Sequence, residues 1–147
     1  MCEIYTDGAT SSNGYEGATG GWSFVVADDS NLLRTGHVEN ATNNICEMLA
    51  IINACKFAEN SLYTEPIVIY SDSAYVINCY KQKWYKKWQL NGWINSKKQP
   101  VANKELWEQL IPYFENNKFD FVKVKGHADN KYNILADKLA VEAKFCT

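Results

Sequence analysis

The stretch Glu3-Ile4-Tyr5-Thr6-Asp7-Gly8 decides how the rest of the chain reads. It is a short apolar run that delivers one carboxylate and then meets glycine. Alternation places Cys2, Ile4 and Thr6 on one face and Tyr5 and Asp7 on the other, the pattern of an opening β-strand. Asp7 then stands where that strand stops. In open α/β sheets ligands gather at the carboxyl ends of strands, so a carboxylate there is a candidate for chemistry. The plainer alternative is an Asx-turn, in which Asp7 only starts the turn at Gly8.

Working outward, Ala9 to Gly21 is rich in Gly, Ser, Thr and Asn and reads as a loop. No Gly-Lys-Ser/Thr follows it, so it is no P-loop. Trp22 to Ala27 and Leu32 to Val38 read as a hairpin across Asp28-Asp29-Ser30-Asn31, with His37 a bystander in the second strand. From Asn44 the period changes: Ile45, Met48, Leu49, Ile52 and Cys55 form a helical stripe to about Asn60, with Ala50, Ala54 and Ala58 allowing close approach. Pro66 to Ser71 is a nearly continuous apolar run, the mark of a strand buried on both faces, and it ends at Asp72. A short helix over Ala74–Tyr80, a helix capped at Asn103 and carrying Leu106, Trp107, Leu110, Ile111 and Phe114, a strand over Phe119–Val124 and a last helix over Leu135–Phe145 complete the chain. The order βββαβααβα predicts a mixed α/β fold, a five-stranded mixed sheet with helices on its faces.

The 147 residues, 46% of them hydrophobic, suit one domain over 1–147. No apolar run approaches the roughly 18 residues of a membrane span, and strand-like sequence begins at once, so the expectation is a soluble cytoplasmic protein. Five cysteines (2, 46, 55, 79, 146), odd in number and never in C-x-x-C, fit neither a disulfide framework nor a zinc site and read as reduced, buried small hydrophobes. The net charge of −2 conceals an asymmetry. Lys81 to Lys104 holds seven lysines and no acid, which leaves the remainder at −9. Such a chain suits a polyanion gripped at one place and an acidic, metal-loaded pocket elsewhere.

Four acids occupy special places. Asp7 and Asp72 end strands, Glu47 falls in the first turn of the first helix, and Asp137 in the first turn of the last. Each has a local explanation: Asn44-x-x-Glu47 fits a capping box, Asp72 could cap the next helix, and Asp137 could favour the positive end of its own. Brought together on one sheet edge, however, the carboxylates would repel unless a cation neutralised them. Oxygen-only ligands select Mg²⁺ or Mn²⁺, and a pair of such ions is a common device for in-line phosphodiester displacement. His127, in the link Lys125-Gly126-His127-Ala128-Asp129 ten residues before Asp137, suits proton transfer beside such metals. Lys81 to Trp93 interleaves Lys81, Lys83, Lys86 and Lys87 with Trp84, Tyr85, Trp88 and Trp93. Tryptophans sharing a helix face would stiffen this protrusion while lysines met phosphates, giving salt-sensitive binding largely independent of sequence.

Tyr5-Thr6-Asp7-Gly8-Ala9, Thr42-Asn43-Asn44-x-x-Glu47-Met48-Leu49-Ala50, Tyr70-Ser71-Asp72-Ser73-x-Tyr75-Val76, Trp84 to Trp93 with Pro100-Val101-x-Asn103-x-x-Leu106-Trp107, and Lys125-Gly126-His127 through Asn133 to Ala136-Asp137-x-Leu139-Ala140 occur in register over essentially the whole chain. In these blocks the chain resembles type 1 ribonuclease H, a family that cleaves RNA paired to DNA. The resemblance implies that Asp7, Glu47, Asp72 and Asp137 bind two Mg²⁺ ions, with Mn²⁺ able to substitute, and that His127 is an accessory catalytic histidine. It implies that Asn13, Asn43 and Asn44 contact an RNA–DNA hybrid in its minor groove, that Thr42 and Asn103 hold a DNA phosphate, and that residues of about 81–102, Lys86, Lys87 and Trp88 among them, form a basic protrusion. It further implies a monomeric endonuclease leaving 5′-phosphate and 3′-hydroxyl ends; no separate hybrid-binding domain is expected before residue 1. Departures are a glycine loop about three residues longer than in compact bacterial members, Ile45 in place of a common arginine, and the uncharged Gln89, Leu90 and Asn91 in the protrusion. Two rivals are a DNA-directed nuclease or integrase on the same fold and a hybrid-binding module with decayed catalysis.

Overall fold

The computed structural model describes residues 1–11, 17–29, 32–61, 63–124 and 130–145. Strands β1 (Cys2–Thr10), β2 (Thr19–Val26) and β3 (Leu33–Glu39) form an antiparallel meander, followed by α1 (Asn43–Glu59), β4 (Ile67–Ser71), α2 (Ala74–Gln82), α3 (Trp84–Asn91), α4 (Lys104–Phe114), β5 (Phe119–Lys123) and α5 (Lys131–Ala143). The sheet order is β3-β2-β1-β4-β5, with β4 parallel to β1 and to β5. The five-stranded mixed sheet is as the sequence predicts. α1 packs on one face of the sheet, with α2 and α4 on the same side, and α5 crosses β1 and β2 on the other. Among the described residues no helix is long and apolar enough to cross a membrane. The cysteines at 2, 46, 55 and 79 are free and buried, while Cys146 lies outside the described residues.

Several expectations are corrected. Gly8 does not end β1, which continues to Thr10 paired with β2. A Cβ on Gly8 would lie 2.5 Å from the backbone of Cys46 and Glu47, so this glycine admits α1 to the strand rather than breaking it. Gly20 and Gly21, expected in the loop, belong to β2 for a similar reason. A side chain on the first would meet Cys46 of α1, and on the second the backbone of α5, so the pair lets both helices close on the sheet from opposite faces.

The helix starts also differ. Thr42 is the N-cap of α1, its hydroxyl accepting from the Ile45 N–H at 3.2 Å, so Glu47 falls beyond the first turn and no Asn44–Glu47 capping box forms. Ser73, not Asp72, caps α2. α5 begins four residues early at Lys131, capped by Asn130, which moves Asp137 out of the first turn. Each local explanation of these acids is thereby removed. α1 is buried nearly all round, with Cys46 and Ile51 inside and Ile45 and Leu49 only half-buried, because it lies between the sheet and α4. His37 is no bystander: its ring bonds the Ala143 carbonyl at the end of α5 and the Glu39 carboxylate.

The lysine and tryptophan segment contains a helix the predicted order lacked. Lys83, with φ of 55°, ends α2 and starts α3, and Gly92 closes α3 in the same left-handed region. Trp88 touches Trp84, Trp93 and Trp107 at ring-centroid distances of 6.4, 5.9 and 5.6 Å, which anchors the protrusion to α4. Lys81, Lys83, Lys86 and Lys87 remain exposed around this aromatic spine.

Candidate active site

The parallel pairing of β1 with β4 ends at Tyr5 and Tyr70, and continuing that register by two residues sets Asp7 beside Asp72. Strand geometry therefore delivers two carboxylates to one point just past the paired ends. Glu47 arrives from α1 on one face of the sheet and Asp137 from α5 on the other. One oxygen each of Asp7, Glu47 and Asp72 lie within 4.8 Å of one another. Asp137 lies beside them, and with Asp7, Asp72, Asn133 and Ile134 it bounds a cavity of about 80 Å³.

Burial makes this arrangement costly without a cation. Asp7 is 6% and Glu47 9% exposed. Desolvation, aided by the neighbouring Asp72 and by Asp137, pushes Asp7 up to about 7, against the opposing help of Glu47 and the Gly8 N–H. Glu47 is raised well above the ordinary carboxylate range, first by burial and then by Asp7 and Asp72. The Gly8 N–H donates to both, at 2.8 Å to Asp7 and 3.1 Å to Glu47, and the Ser71 hydroxyl reaches Glu47 at 3.5 Å. A buried, oxygen-only, strongly anionic set of this kind fits hard divalent cations.

The other expected residues distribute around this centre. Thr42, Asn43 and Asn44 gather at the start of α1, where Asn43 Oδ1 accepts from the Thr10 hydroxyl at 2.8 Å. Asn103, at the start of α4 with φ of 62°, makes no side-chain cap hydrogen bond. Trp88 is half-buried in the protrusion, and Lys86 and Lys87 face solvent. Asn13 and His127 lie outside the described residues.

The sequence profile of the RNase H family matches residues 1–145. The chain belongs to the ribonuclease H family. It is 44% identical over 143 residues to a ribonuclease H of Thermoanaerobacter sp. (strain X514), covering 97% of this chain and 88% of that one. It is 45% identical over 143 residues to one of Clostridium botulinum (strain Hall), covering 95% and 93%. Among solved structures it resembles a foamy viral protease-reverse transcriptase in complex with dsDNA, with a TM-score of 0.79, 25% identity and coverage of 98% and 94%. A type 1 RNase H with the type 2 active-site motif has the same fold, with a TM-score of 0.79 at 24% identity over 97% and 71%. Membership of this ribonuclease H family implies dependence on a divalent metal, and the acidic cluster fits that requirement.

Reading by residue type missed three contributors to this carboxylate cluster: the Gly8 N–H, the Ser71 hydroxyl and the cavity wall of Asn133 and Ile134. Asn133 stands four residues before Asp137, so helix spacing alone could have placed it on the same face. Nothing in the sequence marks a backbone N–H as the bridge between two acids.

Proposed function

We propose that the chain is a single-domain, monomeric endonuclease that hydrolyses the RNA strand of RNA–DNA hybrids, with two Mg²⁺ ions held by Asp7, Glu47, Asp72 and Asp137. Mn²⁺ would serve in their place. The observation that carries this reading is the convergence of three carboxylate oxygens within 4.8 Å, with the Asp7 and Glu47 groups buried. Bound there, a pair of divalent ions supplies Lewis acidity to both ends of an in-line phosphodiester displacement. Water's oxygen joins phosphorus as the P–O3′ bond breaks, and a proton ends on the departing 3′-oxygen, leaving a 5′-phosphate.

The chain's own residues prepare for this. The Gly8 N–H keeps the Asp7 and Glu47 carboxylates aimed at the same point, where both would hold the ions. Thr42, Asn43 and Asn44 offer short polar groups to the minor groove and backbone of the hybrid, Asn103 meets a DNA phosphate, and Asn13 contacts the minor groove as well. Lys86 and Lys87 meet phosphates while Trp88 stiffens the protrusion of about 81–102. His127 moves protons or assists product departure. The 2′-hydroxyl is what distinguishes the cleaved strand.

The test is cleavage of a labelled RNA–DNA hybrid alongside duplex RNA and duplex DNA, with and without Mg²⁺. Mg²⁺-dependent cutting of RNA in the hybrid alone is the expected result. Cutting of duplex DNA would move the chain to a DNA-directed nuclease, and hybrid binding without cutting to a module that has lost catalysis.

A further inference from the structure

Single exposed apolar side chains are ordinary and carry no meaning in themselves. Ile134 is distinguished by its place. It is 54% exposed, yet it lines the cavity otherwise bounded by Asp7, Asp72, Asn133 and Asp137. On α5 it stands three residues before Asp137 and shares that face, while Ala136, Ala140 and Ala143 bury another face against the sheet.

Its backbone is held firmly. The Ile134 N–H donates to the Asn130 carbonyl at 3.1 Å, and the Asn130 side chain accepts from the N–H groups of Tyr132 and Asn133. The same side chain donates to the Tyr5 hydroxyl at 2.9 Å, two residues along β1 from Asp7. The turn that presents Ile134 is therefore tied to the strand that presents the reacting centre. An aliphatic group fixed at the mouth of a polar cavity remains hydrated until something apolar covers it.

A strand whose phosphate enters this cavity brings the adjoining ribose with it, and the C–H face of a ribose is the apolar surface such a strand offers there. We propose that Ile134 packs against the C–H face of the ribose next to the reacting phosphate, and so positions the cleaved strand over Asp7, Asp72 and Asp137. This rests on the function proposed above.

Steady-state cleavage of the hybrid by the wild type, Ile134→Ser and Ile134→Val tests it, with hybrid affinity and the thermal midpoint measured on each. Covering about half an isoleucine side chain corresponds to roughly a fivefold change in affinity, so Ile134→Ser should raise KM and Kd by about that factor. A contact made equally before and during reaction should leave kcat within about twofold, and Ile134→Val should restore most of the loss. The thermal midpoint should not move, since the side chain is exposed. A wild type that cleaves the hybrid, with Ile134→Ser matching it in KM and Kd, would overturn this inference alone. So would Ile134→Val as impaired as Ile134→Ser, or a KM loss accompanied by a fallen midpoint. A wild type that does not cleave the hybrid would overturn the functional reading and this inference with it.

Discussion

Asp7 concentrates the physical argument at the scale of single residues. Its carboxyl is raised from 3.8 to about 7, chiefly by burial, and Glu47 is also raised, well above the ordinary carboxylate range. Between these values the folded protein holds protons that the unfolded chain has shed, so stability of the metal-free protein falls as pH rises through that window. The metal-free thermal midpoint should therefore decline from about pH 5 to about pH 8, and Mg²⁺ should raise it most at the upper end, where it no longer competes with protons. A metal-free midpoint that rises across this range would contradict the assignment. Gly8→Ala should strongly destabilise the fold and abolish cleavage together, because its Cβ would strike backbone that cannot retreat without moving Glu47. Circular dichroism melting and the hybrid assay read both effects. His127→Ala should instead leave an active but slower enzyme with hybrid affinity unchanged, since general acid–base help is worth about 10² to 10⁴ in rate. Equal loss with an Asp7 variant would redraw its role. Residue types and their places in the sequence singled out Asp7, Glu47, Asp72 and Asp137, carboxylates that the structure brings together. They could not reveal Ile134, whose significance comes from the cavity around it and not from its chemistry.

Two elements carry their own tests. α3 holds Lys86 and Lys87 outward on a base of packed tryptophans, so replacing both with alanine should weaken hybrid binding and reduce its salt slope by about 1 to 2, with maximal rate little changed. An unchanged slope in anisotropy titrations would mean that neither lysine meets a phosphate. At the end of α5, the two partners of His37, the Ala143 carbonyl and the Glu39 carboxylate, accept only, so the fully bonded ring is the imidazolium. The carbonyl first and Glu39 second raise its pKa above 6.5, in a helix with no basic residue in its last turn. This contribution is complete below the unfolded value and is lost as pH rises through the folded one. Amide exchange in the last turn of α5 should accelerate in step with His37 deprotonation, and His37→Phe should remove that dependence. Exchange that does not change with pH, after correction for its intrinsic rate, would leave His37 a neutral contact. The sequence showed α5 by its small residues but not this latch, because β3 and the helix end are 106 residues apart.

At the scale of the molecule, alternation, continuous apolar runs and helical spacing carried the five strands and four of the five helices. The missed helix, α3, has a mixed surface, with Tyr85 buried and Trp84 and Trp88 half-buried among exposed lysines. Glycines misled where they served close packing: Gly8, Gly20 and Gly21 look like breaks in the sequence and are the points at which α1 and α5 reach the sheet. That approach is what sets Glu47 and Asp137 on either side of Asp7. The central claim is that these carboxylates hold the divalent ions that cleave the hybrid. The most direct measurement is Mg²⁺-dependent cleavage and hybrid affinity for the wild type, Asp7→Asn and Asp72→Asn, with folding checked in parallel. The account predicts that both variants fold, bind the hybrid nearly as the wild type does, and do not cleave it; near-normal turnover by either in Mg²⁺ would contradict it.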